Sequence, residues 1–166
     1  YGFTDWESLV ALLNAPPGKE LHSKTHRLLK DREALLLQPI PQQDLRVYPV
    51  TLSGNPPDLP LRLQISRVRE IGDTGPEILY VDKETLKGQL SLRKWRKGDY
   101  FCPIGMQGRK RVSKFFKDLK MNQFQKEAQW ILFCGEDIVW IPGLRADDRF
   151  KVTPDTREII RIACTD

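Results

Sequence analysis

The chain has 166 residues, 40% of them hydrophobic and 30% charged, and a formal net charge of +5. A chain of this length buries about two-thirds of the surface that its unfolded form exposes, enough for one cored domain with a smaller appendage, and its apolar runs are far too short for a bilayer, so a soluble protein is expected. Cys102, Cys134 and Cys164 are odd in number and far apart, which argues against a disulfide framework or a Cys-x-x-Cys metal site and fits a reducing cytoplasm.

The sequence opens on Tyr1 instead of methionine, with no signal-like segment before its first helical stretch, as expected of a piece of a longer protein. Thr4 and Glu7 form a capping box, and Phe3, Trp6, Val10 and Leu13 recur at helical spacing, so a short helix is expected over 5–14, ended by Pro16, Pro17 and Gly18. Over 18–38 the leucines suggest short strands around an Asp31-Arg32-Glu33 turn, with a helix as the alternative. His22 and His26 stand four apart, but no third ligand or His-Glu-x-x-His pattern accompanies them, and no metal site is assigned.

Pro39, Pro41, Gln42 and Gln43 read as a connector, 47–52 as a strand and 53–60 as a loop. Leu61, Leu63 and Ile65 alternate with Arg62, Gln64 and Ser66, the pattern of a strand with one face in water. Further strands are expected over 78–81 and at Leu90 and Leu92, which alternate with Gln89, Ser91 and Arg93.

Charge then becomes uneven. Residues 93–120 hold ten Lys and Arg against Asp99 and Asp118, a local balance of +8, while the other 138 residues carry 17 basic and 20 acidic side chains. Val112, Phe115, Phe116 and Leu119 stand at i, i+3, i+4 and i+7, and Lys110, Lys114 and Lys117 share that spacing on another face, so a basic amphipathic helix is expected near 109–120. The stretches 130–133 and 138–141 read as a hairpin about Cys134-Gly135-Glu136-Asp137, and 150–153 and 158–163 as closing strands. Strands dominate and helices are few, so the fold class is α+β with a mainly antiparallel sheet.

No pyrophosphate loop of the form Ser-Gly-Gly-x-Asp-Ser, no phosphate loop and no dinucleotide fingerprint occurs, so no catalytic residue and no cofactor is assigned to this chain. Asp147 and Asp148 read as solvated turn formers. The concentrated basic segment reads either as an ordinary solvated helix face or as a site for a polyanion, and its density favours the polyanion.

Gly98-Asp99, Pro103-Ile104-Gly105, Gly108, Lys110 and Phe115-Phe116-Lys117-Asp118-Leu119-Lys120 follow one another in an order that resembles the C-terminal domain of bacterial tRNA(Ile)-lysidine synthetases. Ile138-Val139-Trp140-Ile141-Pro142-Gly143-Leu144-Arg145 with Asp147, Arg149, Phe150 and Lys151 is similar to the family's closing motif, and His22-Ser23-Lys24 with Asp31-Arg32-Glu33 to its segment joining the middle and C-terminal domains. Tyr100 stands where arginine is common in the family, and Met121-Asn122 where an aliphatic-proline pair is.

The resemblance implies that 1–45 is the end of a middle helical domain with its linker and 46–166 a C-terminal tRNA-binding domain, with the ATP-using N-terminal domain absent. It implies an intact cytoplasmic enzyme that uses ATP to ligate lysine to C2 of the wobble cytidine of a minor tRNA(Ile) with a CAU anticodon; ATP and lysine are substrates of that intact protein. In the present chain it implies phosphate contacts from Lys97, Arg109, Lys110, Arg111, Lys114, Lys117, Arg145 and Arg149. The rival expectations are a basic accessory domain of another tRNA enzyme, told apart by the upstream sequence, and a protein-interaction module with an acidic partner, told apart by salt-sensitive RNA retention.

Overall fold

A computed structural model describes residues 1–53 and 58–165; the middle of the loop expected over 53–60 lies outside the described residues. By its internal contacts the chain forms two compact units, one of residues 1–44 with 120–126 and one of 45–119 with 127–166.

The first unit begins with helix α1, Trp6–Leu13, whose cap is Asp5 and not Thr4: the Asp5 carboxylate accepts from the backbone N–H of Glu7 and Ser8 and from the Ser8 hydroxyl. Aspartate is the stronger competitor for the first turn because its charge also meets the positive end of the helix. Strands β1 (Glu20–His22), β2 (His26–Lys30) and β3 (Leu35–Pro39) then make an antiparallel sheet in that order, turning at 31–34. The strand reading of 18–38 therefore holds over the helical one.

The second unit contains β4 (Tyr48–Val50), β5 (Arg62–Val68), β6 (Ile78–Asp82), β7 (Leu90–Lys94), β8 (Tyr100–Phe101), β9 (Lys110–Arg111) and helix α2 (Val112–Asp118). After α3 (Gln123–Ala128), which spans the boundary between the units, come β10 (Trp130–Cys134), β11 (Asp137–Ile141), β12 (Arg145–Ala146) and β13 (Ile159–Thr165). These strands build a five-stranded sheet, β12-β11-β10-β7-β4, a three-stranded sheet, β5-β13-β6, and a two-stranded ribbon, β8-β9. All pairings are antiparallel, as the alternating sequence patterns predict.

One core joins the two larger sheets. Val50, Leu90, Leu92, Leu132, Val139 and Trp140 from the first pack with Leu63, Leu79, Val81, Ile160 and Ile162 from the second. Each such fully buried side chain contributes about 1.5–3 kcal/mol relative to exposure. Strand β10 is buried along its whole length and β11 everywhere but Asp137, so these two strands are covered on both faces. That explains why they read as continuous apolar runs instead of alternating ones.

Three expectations change. The helix near 109–120 is only Val112–Asp118: Lys110 and Arg111 are drawn into the ribbon with Phe101 and Tyr100, and Lys120 sits at φ 57°, a left-handed conformation that ends helical growth. Leu119, expected in the apolar stripe, is 46% exposed, whereas Val112, Phe115 and Phe116 are buried. The strand over 150–153 is replaced by a 3-10 turn, Asp148–Phe150, with Lys151 making a single bridge to Val81. Among the described residues no helix is long and apolar enough to cross a membrane.

Candidate nucleic-acid interface

The basic segment folds into three consecutive pieces: a turn at 95–99, the β8-β9 ribbon and α2. The turn is fixed by Asp99. Its carboxylate takes both guanidinium nitrogens of Arg93 at 2.9 and 3.0 Å and the Arg96 backbone N–H at 2.7 Å, while its carbonyl accepts the first N–H of α2, from Val112. The Arg93 guanidinium also lies 3.9 Å from the centre of the Phe133 ring. This bidentate, half-buried pair holds the turn in one geometry and spends its charge inside the protein. Lys97 is left exposed at the tip of the turn.

The ribbon and helix are joined through aromatic packing. Phe101 and Phe115 meet edge-on with centroids 5.1 Å apart, and Trp95 and Phe116 likewise at 5.7 Å. Between β8 and β9 runs a loop in which Gly105 and Gly108 both take φ 77°, a conformation that costs glycine little and other residues much. Its near end is tied to the closing motif. Cys102 donates its backbone N–H to the Asp147 carboxylate at 2.8 Å and accepts from the Asp148 N–H at 2.7 Å, Ile104 donates to the Ala146 carbonyl at 3.0 Å, and the Arg145 guanidinium donates to the Ile104 carbonyl at 3.2 Å.

Asp147 is not a solvated turn former. It is 1% exposed and holds Arg149 through Nε and Nη2, each at 2.9 Å, besides accepting the Arg149 backbone N–H. Its burial is tolerated because both oxygens are saturated with donors. The same hydrogen bonds raise Arg149 further above its already high pKa. Neither Asp99 nor Asp147 was singled out from sequence as a clamp; the only available signal was that each lies within six residues of an arginine, which many surface acids also do.

The eight cations expected to contact phosphate thus fall into two groups. Lys110, with a side chain 17% exposed, pairs with Asp118 at 2.5 Å and lies over the Phe115 ring; Arg149 is held by Asp147 and, at 3.2 Å, by Asp137; Arg145 keeps its charge but is tied to the Ile104 carbonyl. The Lys110 hydrogen bond is also the main cause that lowers the Asp118 pKa, with charge from Lys114 and Lys117 adding to it. By contrast Lys97, Arg109, Arg111, Lys114 and Lys117 are exposed, and among the described residues no carboxylate lies within ion-pair distance of any of them. Lys114 and Lys117 project from α2 opposite its buried stripe, and Arg109 rests over the Tyr100 ring at 4.9 Å. Such a set of cations without ion-pair partners, carried on consecutive pieces of one basic segment, is suited to a polyanion.

Comparison with known proteins identifies similar chains. A family model described as the TilS substrate binding domain matches residues 1–40, and one described as the TilS substrate C-terminal domain matches 90–164. A tRNA(Ile)-lysidine synthase from Parabacteroides distasonis is 35% identical over 166 aligned residues that cover 96% of this chain and 38% of that protein. One from Bacteroides thetaiotaomicron is 36% identical over 148 residues, covering 89% of this chain and 33% of the relative. A solved structure described as the crystal structure of a TILS C-terminal domain aligns with 73% of this chain and 98% of its own at a TM-score of 0.59 and 18% identity, a likeness of fold. This chain therefore spans well under half the length of these curated relatives.

Proposed function

This chain belongs to the tRNA(Ile)-lysidine synthase family and corresponds to its C-terminal portion, and from that premise we propose that it is the part which grips the tRNA body while chemistry proceeds elsewhere in the intact enzyme. In that reading the intact bacterial, cytoplasmic protein uses ATP to activate C2 of the wobble cytidine in a tRNA(Ile) with a CAU anticodon, and the ε-amine of free lysine displaces AMP. The sequence in hand has no nucleotide-binding loop, so its contribution is positional and not catalytic. In this reading we draw the boundary between the middle domain's end and the tRNA-binding domain at 45/46.

The observation that carries the proposal is the turn, ribbon and helix, along which Lys97, Arg109, Arg111, Lys114 and Lys117 are exposed and, among the described residues, have no carboxylate at ion-pair distance. Cations already neutralised within the protein release few counterions on binding RNA, whereas unpaired ones release one per phosphate they meet. We assign the direct phosphate contacts to those five, and to Lys110, Arg145 and Arg149 the holding of the helix, loop and closing motif that present them. Double-stranded RNA offers mainly phosphates, 2′-hydroxyls and shape, which a fixed basic surface matches.

The experiment is to incubate the purified chain with ATP, lysine and tRNA and to measure both binding and turnover. The expected result is salt-sensitive retention of tRNA with no lysidine and no AMP formed. ATP-dependent turnover by the chain alone, or RNA retention insensitive to salt, would contradict the proposal.

A further inference from the structure

Antiparallel pairing of the ribbon sets Tyr100 opposite Arg111 and Phe101 opposite Lys110. Opposed residues share a face and successive ones alternate, so the ribbon has two unlike sides. The inner side is Phe101, fully buried against Phe115, and Lys110, which reaches Asp118. The outer side is Tyr100 with Arg111 across from it and Arg109 diagonal to it, the Arg109 guanidinium carbon lying 4.9 Å from the Tyr100 ring centre. Tyr100 is 42% exposed, both arginines are exposed, and among the described residues neither arginine has a carboxylate partner.

We propose that the Tyr100–Arg109 couple is a stacking platform for one unpaired nucleotide of the bound tRNA, with Arg111 on that nucleotide's phosphate. The inference rests on the reading that this element binds tRNA and adds to it a second kind of contact. A surface built for phosphates alone gains nothing from a ring among its cations. A ring with a guanidinium on it offers a flat, polarisable, weakly hydrated surface on which a base can lie. Bases inside a duplex are already stacked and present no free face, so the occupant is a nucleotide outside a helix. Hydrogen bonds that Cys102 and Ile104 donate to Asp147 and Ala146, and one that Cys102 accepts from Asp148, hold β8 and the start of its loop in place, so the platform is ordered before the RNA arrives and little entropy is lost in forming it. The alternating Tyr100-Phe101 and Lys110-Arg111 pairs were visible in sequence, but only the register shows which members face outward.

The test uses two fluorescent RNAs, a blunt-ended hairpin and the same hairpin carrying a single-stranded 3′ extension, against the whole chain, Tyr100→Ala and Tyr100→Phe. The extended hairpin should bind the unaltered chain more tightly. Tyr100→Ala should lose roughly fivefold or more of its affinity for the extended RNA, the scale of one base stacked on an aromatic ring, with about a twofold change or less for the blunt one, and Tyr100→Phe should retain both. A 2-aminopurine in the extension should be quenched on binding to the unaltered chain and less so with Tyr100→Ala. Equal losses on both RNAs, no loss on either, or no quenching with the unaltered chain would overturn the platform while leaving phosphate binding intact. Failure of both RNAs to bind the unaltered chain would instead sink the tRNA-binding reading and this inference with it.

Discussion

Two regions of the second unit use basic residues in opposite ways. In the closing motif Arg149 is clamped by buried Asp147 and touched by Asp137, as Arg93 is by Asp99 at the head of the basic segment. Along the 95–99 turn, the ribbon with its loop, and α2, five cations face water with no carboxylate at ion-pair distance among the described residues. The first arrangement converts charge into rigidity, because a carboxylate saturated by a guanidinium and backbone donors fixes every element that it touches. The second keeps charge available for a partner. Charge density along the sequence does not separate the two; the presence of an acid within reach does.

The largest effect should come from opening the clamp. Asp147→Asn halves the acceptors that this residue offers to Arg149 and leaves the guanidinium only the more exposed Asp137 as a charged partner. The expected loss is about 3 kcal/mol, at the low end for breaking a buried pair because the Arg149 side chain is 35% exposed. Urea denaturation checks it, and a loss below about 1 kcal/mol, the size typical of an exposed pair, would place Asp147–Arg149 among ordinary surface contacts.

A smaller effect sharpens the boundary between the groups. The Lys110 ammonium holds the Asp118 carboxyl below the usual carboxylate range. The pair favours the ionised acid, so its contribution is present above the ordinary carboxylate pKa and is lost as pH falls through the lowered one. Carboxyl titration by NMR should show the Asp118 pKa rising toward its ordinary value in Lys110→Ala. An unchanged value would mean that Lys110 is as free as Lys114.

Much of the fold was legible in the sequence because periodicity survives wherever an element is long enough to repeat. The alternation at Leu63 and Ile65 predicted β5, and the two apolar runs about Gly135 predicted the β10-β11 hairpin. The ribbon was not legible, since two-residue strands have no period, and the lysines at helical spacing from 110 onward disguised its second strand. Helix α3 escaped for a related reason: it has six residues, none of them buried, so it carries no apolar stripe. Of the candidate site, residue types and region were readable, whereas the engagement of Lys110 by Asp118 and of Arg149 by Asp147 depends on which way the folded backbone turns these side chains.

The central claim is that unneutralised cations, and not basic residues in general, meet the RNA. Its most direct test is a salt titration of tRNA binding by fluorescence anisotropy with the unaltered chain, Lys114→Ala, Lys117→Ala and Lys110→Ala. With four to six phosphates neutralised, log affinity should fall against log salt with a slope of about −3 to −5. The slope should become shallower by about one in Lys114→Ala and in Lys117→Ala, and by clearly less than one in Lys110→Ala, whose charge is already matched by Asp118. Equal changes in all three variants, or none in any, would contradict the account.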